Sequence, residues 1–476
     1  MVLYLSQHDN LYNKLVEIVG ESNVSSDEAD LYCYSFDKFS HPYIQSELRR
    51  YRPIAVVRPQ NTSQVSRILA FANEKKIPVV PRGAGSSYTG SVNPIKGGIV
   101  LDLTRMNKIK KIDVDNLQVV VEPGVVKAKL DEALRPYGFF FPPDPGSEEY
   151  CTIGGMIATN AAGMRSVKYG VTRDYVLSLE VVLPNGEVIR TGAKTLKYSI
   201  GYDLTRLFVG SEGTLGVITE ATLKILPLPE HRAVVLALYE DLKAATTIAV
   251  RLIKAKVIPS AVEFLDKFSI QVVNQYSKLG IPEVEAAVLI ELDGSVEDVK
   301  AKLKKTVKIV LESGAVEVKT AEDPAEREKL WTARRDIGPA FLRLRPEIGD
   351  MSSGEDIVVP LSRLSEAILR TQKIREKYGV LLGLVGHAGD GNVHNVILIN
   401  PLKMEEEFPR IRKVWEEVYL MALELGGALA GEHGIGLARK AFIEKQHGRG
   451  VEVMKTIKRA LDPNNIMNPG KIFDLD

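Results

Sequence analysis

Cysteine is scarce in this chain, with only Cys33 and Cys151 among 476 residues. Two thiols exclude an iron–sulfur cluster, which takes four protein ligands that are mostly thiolates. They also exclude a disulfide framework of the kind found in small secreted proteins, so we expect a cytoplasmic protein. For Cys151 we predict neither a covalent nor a redox role.

An excess of charge of one sign is also missing, because 62 basic and 61 acidic side chains leave a formal net charge of +1. Such a chain has no overall field that would attract nucleic acid or an anionic membrane. No apolar run approaches the ~18 residues of a membrane-spanning helix. The N-terminal residues 1–20 lack the charged and apolar regions of a secretory signal. We therefore expect no nucleic-acid partner and no transmembrane segment, and peripheral attachment to the inner face of the membrane stays open.

The length of the chain predicts several domains, because one domain usually takes ~100–200 residues. Pro227 and Pro229 interrupt the pattern of secondary structure and indicate a domain boundary. We predict an α+β fold in which the segments are a helical lead-in at 1–50, a glycine-rich domain at 51–229, a domain of longer helices and strands at 230–425, and a C-terminal segment at 426–476.

Three clusters of glycine and small polar residues lie in the glycine-rich domain, at 81–90, 151–163 and 210–218. Successive glycines allow backbone N–H groups to point at one anion without a Cβ atom in the way. The first cluster is neither a dinucleotide fingerprint nor a Walker loop, because no helix opens from it. Taken alone, that cluster is explained equally well by a tight turn.

Together the three clusters resemble the FAD-binding domain of the vanillyl-alcohol-oxidase flavoproteins, also called the PCMH type, over about residues 50–229. The resemblance implies that residues 81–87 and 90 hold the FAD pyrophosphate, that 151–163 line the flavin and phosphates, and that 217–218 reach the adenine or ribose side. Ser86 stands where covalent members carry a flavin-bonded histidine, so the resemblance implies non-covalent FAD. A glycine-rich domain without a cofactor is the alternative. The residues implied in FAD binding are Arg82, Gly83, Ala84, Gly85, Ser86, Ser87, Thr89, Gly90, Pro143, Thr152, Gly154, Gly155, Asn160, Gly163, Gly213, Val217, Ile218 and Asn468.

Two of the seven histidines, His387 and His394, flank a glycine-rich turn. If Asp390 and Gly391 form a two-residue turn, the two histidines face each other across antiparallel strands, with Cβ atoms ~4.5–5.5 Å apart. Asn392 then lies on the same face. Such a pair could share one divalent metal ion, and a hydrogen-bonded surface pair is the alternative.

A second polar cluster, Gly431-Glu432-His433-Gly434, could supply what the histidine pair lacks. Glu432 would complete a His/His/Glu site with open positions, which is typical of catalytic metal centres. His433 would then stand beside the metal and be free to move a proton, since its ordinary pKa near ~6.5 suits that work.

The histidine hairpin, the Glu432-His433 cluster and the sequence Asn-Pro-Gly-Lys at 468–471 resemble the C-terminal domain of GlcD-like FAD oxidases, over about residues 230–476. This family includes D-lactate dehydrogenases, D-2-hydroxyglutarate dehydrogenases and the glycolate oxidase flavin subunit. The resemblance implies that His387, His394 and Glu432 bind a divalent metal, zinc or else manganese or iron, and that His433 is the base. We accordingly expect a PCMH-type FAD-binding domain, a cap domain with a ferredoxin-like antiparallel sheet, and a C-terminal helical segment that returns to the flavin.

A hydroxy-acid substrate needs a cation for its carboxylate, and Arg334 and Arg335 follow Trp331 closely. A planar guanidinium suits bidentate carboxylate binding, and the Trp-x-x-Arg pattern of the family selects Arg334. Members that act on 2-hydroxyglutarate carry a lysine where this chain has Gly354-Glu355. The difference favours a small substrate such as D-lactate or glycolate.

The mechanism expected from these residues is an FAD-dependent oxidation of a D-2-hydroxy acid. Arg334 anchors the carboxylate, the metal polarises the C2 hydroxyl, His433 removes its proton, and a hydride passes from C2 to flavin N5. We group Asn392 with these catalytic residues. An external quinone, cytochrome or partner subunit would then reoxidise the flavin. The alternatives are a transferase similar to alkyl-glycerone-phosphate synthase and a flavin subunit that is inactive outside a multi-subunit glycolate oxidase, and a homodimer stays open.

Overall fold

The computed structural model describes residues 2–38, 51–345 and 351–475. Its strands are β1 Val24–Ser25, β2 Ala55–Val57, β3 Val79–Arg82, β4 Ile99–Asp102, β5 Ile109–Asp113, β6 Gln118–Val121, β7 Phe139–Phe140, β8 Val176–Val182, β9 Val188–Gly192, β10 Val217–Lys224, β11 Leu226–Pro227, β12 His231–Tyr239, β13 Ala261–Asp266, β14 Ala286–Gly294, β15 Ala315–Ala321, β16 Met351–Val358, β17 Leu382–His387 and β18 Asn392–Ile399.

Its α-helices are α1 Val2–Val19, α2 Glu28–Cys33, α3 Thr62–Lys75, α4 Lys127–Leu134, α5 Ile153–Thr159, α6 Ser166–Tyr169, α7 Leu204–Phe208, α8 Leu242–Lys254, α9 Lys267–Ser277, α10 Val296–Glu312, α11 Pro324–Arg335, α12 Ile337–Leu342, α13 Leu364–Tyr378, α14 Met404–Glu424, α15 Ile443–His447 and α16 Gly450–Leu461. Among these helices, none combines the length and the apolar character that crossing a membrane requires. The predicted mixture of helices and antiparallel sheets is confirmed.

The chain forms two compact units, and each is made of separate stretches of sequence. The first unit consists of Met1–Ala161, Val171–Leu228 and Glu432–Asp476. The second unit consists of Ala162–Gly170 and Pro229–Gly431.

The first unit contains two main sheets. One has the strand order β1-β2-β4-β3, and in it β4 pairs in parallel with β2 and β3. The other has the order β5-β6-β10-β8-β9 and is antiparallel. Asn61 caps α3 by accepting a hydrogen bond from the backbone N–H of Gln64 at 3.0 Å, as its residue type favours. The sequence predicts a hairpin around the turn Pro184-Asn185-Gly186, and β8 and β9 form it.

The C-terminal stretch of the first unit packs back onto the sheet that carries the first glycine-rich loop. Met467 forms a parallel bridge with Val79 at the start of β3. Lys458 on α16 donates hydrogen bonds to the carbonyl oxygens of Thr214 and Met467, at 2.7 and 2.8 Å. The last residues of the chain therefore belong to the same core as residues near 80 and 214.

The second unit is built on one sheet with the order β15-β12-β14-β13-β17-β18-β16. The strands β12 to β15 alternate with the helices α8, α9 and α10, and lie in the sheet in the order fourth, first, third, second. This antiparallel order is ferredoxin-like, as predicted. The hairpin β17–β18 extends the sheet from β13, and β16 closes it at the far edge.

The sequence predicts one helix over 324–345, but this extent is wrong, because the chain forms α11 and α12 with a break at Asp336. Gly338 and Pro339 follow directly. Proline has no N–H to donate and disfavours helical backbone in the preceding residue. The helical pattern therefore restarts rather than continues.

Candidate active site

The histidine hairpin has a different register from the one predicted. His387 lies opposite Asn392, and His394 lies opposite Val385. Residues 388–391 all belong to the loop, because the N–H of Gly391 donates to the carbonyl of His387 at 3.1 Å. The predicted two-residue turn at Asp390-Gly391 is therefore wrong. His394 is a diagonal neighbour of His387 on the same sheet face, since residues two apart on a strand share a face.

The two histidine side chains converge within the second unit. Their Nε2 atoms are 3.2 Å apart, and their ring centroids are 4.9 Å apart. His387 is 4% exposed and His394 is 8% exposed. The pair is therefore buried, and the alternative of a surface pair does not describe it.

Glu263 on β13 holds His387 from the other side. Its Oε1 atom lies 2.7 Å from Nδ1 of His387, and the two residues are direct cross-strand partners. Its Oε2 atom accepts a hydrogen bond from Nε of Arg334 at 2.6 Å. Arg334, the predicted carboxylate anchor, thus reaches the same carboxylate as the predicted metal ligand.

The separation of the two histidine nitrogens fits a shared metal ion. Two imidazole ligands ~2.0–2.1 Å from one zinc ion at a tetrahedral angle would stand about 3.3–3.4 Å apart. The observed Nε2–Nε2 distance of 3.2 Å is close to that value. A carboxylate on Nδ1 leaves the lone pair on Nε2, which is the usual outer arrangement of a metal-bound histidine. The residues of the second unit therefore fit a divalent metal.

Asp356 on β16 organises the polar groups beside the histidines. It lies opposite His394 in the sheet. Its Oδ1 accepts from Nδ2 of Asn392 at 2.5 Å, and its Oδ2 accepts from the N–H of Gly431 at 3.0 Å. The Oδ1 atom of Asn392 is buried and makes no hydrogen bond among the described residues.

Gly431 is the last residue of the second unit, and Glu432 and His433 follow it in the first unit. A Cβ atom on Gly431 would lie 2.3 Å from Nδ2 of Asn392, so only glycine allows this approach. In the first unit, the ring of His433 lies 5.4 Å from the ring of Tyr88, measured between centroids.

Glu212, from the third glycine cluster, holds the backbone just after His433. Its carboxylate oxygens accept from the N–H groups of Ile435 and Gly436 at 2.7 and 2.8 Å. Burial raises the pKa of Glu212, and these two N–H donors act in the opposite direction. A Cβ atom on Gly434 would lie 2.8 Å from Oε1 of Glu212. The cluster at 210–218 and the loop carrying His433 are thus tied together inside the first unit.

The three glycine clusters approach one another in the first unit. A Cβ atom on Gly83 would lie 2.2 Å from Oγ1 of Thr152, and one on Gly213 would lie 3.2 Å from Cγ of Pro81. The first contact joins the clusters at 81–90 and 151–163, and the second joins those at 81–90 and 210–218. Glycine leaves backbone open at such points, which suits the cradle that a pyrophosphate needs.

Asn468 links this group to the C-terminal stretch. Its Nδ2 atom donates to the carbonyl oxygens of Ser91 and Glu212, at 2.8 and 2.7 Å. Its neighbour Lys471 is 2% exposed and donates to the carbonyl of Asn93 at 2.6 Å. Burial lowers the pKa of Lys471 to about 7.

Other predicted FAD-binding residues occupy more varied places. Arg82 is buried and donates to the carbonyl of Phe36 at 2.9 Å. Val217 and Ile218 are buried on β10, where they pair with β8. Gly163 lies in the stretch Ala162–Gly170, which belongs to the second unit. The remaining members lie in the first unit, and they are Ala84, Gly85, Ser86, Ser87, Thr89, Gly90, Pro143, Gly154, Gly155 and Asn160.

The roles of three residues around these sites were not predicted from the sequence. They are Glu263, Asp356 as a partner of Asn392, and Glu212 as an anchor of the His433 loop. Glu263 carried a usable signal, since it is the one charged residue within the apolar run Ala261–Leu265. A buried carboxylate in such a strand needs a partner. Neither the partner nor its distance in sequence could be read from that signal.

Comparisons with known proteins agree with this geometry. A family model described as the C-terminal domain of FAD linked oxidases matches residues 228–472, and a model described as an FAD binding domain matches residues 53–192. The glycolate oxidase subunit GlcD of Bacillus subtilis is 42% identical, covering 97% of this chain and 96% of that protein. The mitochondrial D-lactate dehydrogenase [cytochrome] of Arabidopsis thaliana is 37% identical, covering 88% of this chain and 73% of that protein.

Among solved structures, p-cresol methylhydroxylase with bound substrate matches with a TM-score of 0.77 at 19% identity, covering 98% of this chain and 97% of that one. This likeness supports the fold, and the predicted PCMH-type architecture is confirmed. Because the family models together span most of the chain and the relatives cover nearly all of it, the chain belongs to the family of FAD-linked oxidases.

Proposed function

We propose that this protein oxidises a small D-2-hydroxy acid, D-lactate or glycolate, to the 2-oxo acid, and passes the electrons to an external acceptor. The observation that carries the proposal is the carboxylate of Glu263, which joins a buried histidine pair to Arg334. A metal centre and a guanidinium held this close suit a substrate that carries a hydroxyl next to a carboxylate. The names of the relatives, a glycolate oxidase subunit and a D-lactate dehydrogenase, support the same substrate class.

Arg334 is proposed to hold the substrate carboxylate. Its hydrogen bond to Glu263 uses Nε, so the two terminal nitrogens retain the planar fork that matches a carboxylate. Its side chain is 14% exposed, which limits competition from water.

His387 and His394 are proposed to hold a divalent metal together with Glu432. Glu432 follows Gly431, whose N–H is fixed by Asp356 in the second unit. When bound, zinc, manganese or iron would lower the pKa of the substrate hydroxyl.

His433 is proposed to take the hydroxyl proton. It lies on a loop whose backbone is held by Glu212, so its reach is limited to a small region. The loops at 81–90, 151–163 and 210–218 would hold FAD without a covalent bond, and the bound FAD would supply the hydride acceptor. Asn392 is proposed to orient substrate through its buried Oδ1 atom.

The preference for a small acid rests on residue 354. By the resemblance described above, members that act on 2-hydroxyglutarate carry a lysine where this chain has Gly354-Glu355. Glycine offers no cation at that position for a second, distal carboxylate. A monocarboxylate such as D-lactate or glycolate therefore fits better than D-2-hydroxyglutarate.

The test is anaerobic addition of D-lactate, L-lactate, glycolate and D-2-hydroxyglutarate to the FAD-loaded, metal-replete protein, with the flavin absorbance as readout. We expect rapid bleaching by D-lactate or glycolate and much slower bleaching by the other two acids. If none of the acids bleaches the flavin, the proposed reaction is wrong.

His387→Ala separates the metal from the flavin. We expect this variant to lose bound metal and to bleach at least 100-fold more slowly, because half of the histidine pair is gone. Nearly all residues of the flavin loops lie in the first unit, whereas His387 lies in the second, so the protein should keep its yellow colour and FAD content. Metal analysis and the flavin spectrum of the purified variant measure both, and loss of FAD would contradict the assignment.

A second candidate is a flavin subunit that needs partner chains, since the Bacillus subtilis relative is named as a subunit of glycolate oxidase. In that case the anaerobic half-reaction would proceed in the isolated chain, whereas turnover with quinones or cytochrome c would be absent. Steady-state turnover of the isolated chain with these acceptors distinguishes the two.

A further inference from the structure

Glu263 occupies the centre of the second unit's sheet and has two different partners. It is fully buried, and β13 lies between β14 and β17. One carboxylate oxygen contacts His387 and the other contacts Arg334. The two partners are 53 residues apart in sequence, at 334 and 387, and the proposed function gives them separate tasks.

The contact with His387 determines which ring nitrogen carries the proton. A carboxylate offers only acceptor atoms, so Nδ1 of His387 must be the donor in the 2.7 Å contact. A neutral imidazole with hydrogen on Nδ1 has its lone pair on Nε2. That atom is the one 3.2 Å from Nε2 of His394, where a shared metal ion would be coordinated.

The contact with Arg334 fixes the direction of the guanidinium. A hydrogen bond from Nε at 2.6 Å sets the plane of the group. The conformational entropy of the long arginine side chain is then lost during folding and not during substrate binding. The terminal nitrogens are thereby oriented before a carboxylate arrives.

Glu291 on the neighbouring strand provides a comparison. It is also buried, at 3% exposure, and it bonds Arg165 at 2.8 Å and Nε1 of Trp331 at 3.2 Å. Glu291 lies opposite Ala261, so Glu263 is its diagonal neighbour on the same face. The two glutamates share strand environment, burial and an arginine partner, and only Glu263 contacts a histidine of the pair.

We propose that Glu263 is a positioning residue that sets the tautomer of His387 for metal binding and the orientation of Arg334 for the substrate carboxylate, so that one buried group aligns both sites. This inference rests on the proposed function. Beyond the proposed function, the inference predicts that loss of Glu263 alone weakens both metal binding and substrate binding.

The first test is calorimetric titration of Zn²⁺ into the full-length, FAD-loaded protein after removal of metal by a chelator. Relative to the wild type, Glu263→Gln should bind Zn²⁺ about 10- to 100-fold more weakly, the usual cost of losing an outer partner of a metal-bound histidine. Glu291→Gln, the matched control, should stay within about twofold. Equal Zn²⁺ affinity of Glu263→Gln and the wild type would overturn the inference about Glu263. The metal centre itself would still be supported if the His387→Ala variant bound no Zn²⁺. Absence of Zn²⁺ binding to the wild type would instead refute the metal site of the proposed function.

The second test needs no change at Glu263 and therefore survives any folding defect of that variant. Nitrogen-15 spectra of the histidine-labelled, metal-free protein report which ring nitrogen is protonated, and His387→Gln identifies the resonance. We expect Nδ1 to carry the hydrogen. A ring protonated at Nε2 alone contradicts the inference.

The third test isolates the arginine contact by a double-mutant cycle with D-lactate or glycolate, whichever bleaches the flavin. Glu263→Gln should raise KM about tenfold in Zn²⁺-saturated protein, but should change KM less than twofold when Arg334 is already glutamine. Additive effects of the two substitutions on KM would show that Glu263 does not act through Arg334.

Discussion

Two identical thiols in this chain differ in their surroundings, and the difference decides their chemistry. Cys33 is exposed at the end of α2, whereas Cys151 is buried in the core that includes Ile153 and Phe141. Burial raises the pKa of Cys151 to about 11, because the thiolate would lose its hydration. A thiol reacts as its thiolate, so reactivity should follow exposure.

We expect iodoacetamide at pH 8 to alkylate Cys33 and to leave Cys151 unmodified in the folded protein. In denaturant, where both side chains are hydrated, both should react. Mass spectrometry of the peptides carrying each cysteine measures the outcome. Rapid modification of Cys151 without unfolding would disagree with its burial.

The site residues that could be predicted are those with a rare side chain or a fixed local spacing. His387, His394 and His433 belong to a set of seven histidines, and each lies beside glycine-rich sequence. Glu263 could not be predicted in the same way, because its role depends on a partner 124 residues later in the chain. Pairing between strands so far apart is determined by the whole sheet and not by the neighbours of either residue.

At the level of elements, contacts from outside the hairpin β17–β18 determine the conformation of its loop. Gly391 has a φ of +87°, and its carbonyl accepts a hydrogen bond from the N–H of Val359 at 3.0 Å. A Cβ atom on Gly391 would lie 2.1 Å from the carbonyl oxygen of Val359. The segment after β16 therefore selects the four-residue loop and so the diagonal placement of the histidines.

Gly391→Ala should destabilise the protein by about 3–5 kcal/mol, because it adds backbone strain and a collision with a main-chain atom. Gly379→Ala is the control: its φ is +58°, but no atom lies within 4 Å of the added Cβ. That substitution should cost only about 1–2 kcal/mol from the left-handed backbone. Urea unfolding followed by circular dichroism compares the two, and equal costs would remove the Val359 contact as the cause.

The loop that carries His433 should depend on Glu212. In Glu212→Gln, an amide NH₂ group replaces one acceptor, and one of the N–H groups of Ile435 and Gly436 loses its partner. A lost buried hydrogen bond costs ~1–3 kcal/mol, which raises the equilibrium for local opening at least about fivefold.

Hydrogen–deuterium exchange at Ile435 and Gly436 is the measurement, and we expect it to accelerate at least about fivefold in Glu212→Gln. Glu220→Gln on β10 is the control, because Glu220 bonds Lys110 and Arg190 and not this loop. Unchanged exchange in Glu212→Gln would mean that other contacts hold the loop.

Elements can be predicted where their signals lie within one stretch of sequence, and cannot where they depend on remote partners. The helix α3 has its capping residue and apolar period within one stretch, and the hairpin β8–β9 has its turn. The strands β13 and β16 include acidic residues, Glu263 and Asp356, whose burial could not be predicted from the neighbouring sequence. Their carboxylates are buried only because a neighbouring strand supplies a donor.

At the scale of the whole molecule, the buried Lys471 in the C-terminal stretch makes the free energy of unfolding depend on pH. Lys471 has a pKa of about 7 in the folded protein, because burial disfavours its charged form. Unfolded, it should titrate near ~10.4. Between these pH values the unfolded chain binds more protons than the folded one. The contribution of Lys471 to the free energy of unfolding therefore rises with pH from about 7 to about 10.

We expect the melting temperature of the wild type, measured relative to that of Lys471→Met, to rise as the pH is raised from 6.5 to 9.5. The comparison cancels the other titrating groups. Lys75→Met, which removes a half-exposed lysine, is the control and should show a constant difference. A flat difference for Lys471→Met would contradict the lowered pKa.

The stretch Ala162–Gly170, which belongs to the second unit although it interrupts the first, affects how the protein could be recombined. Arg165 bonds Glu291, and both Lys168 and Tyr169 bond Asp293, so β14 receives three side chains from outside 229–431. A chimera that exchanged only residues 229–431 with a relative would set these three side chains against foreign partners. A chimera meant to transfer substrate preference within this family therefore has to include the nine residues Ala162–Gly170, from the middle of the flavin domain, as well as residues 229–431.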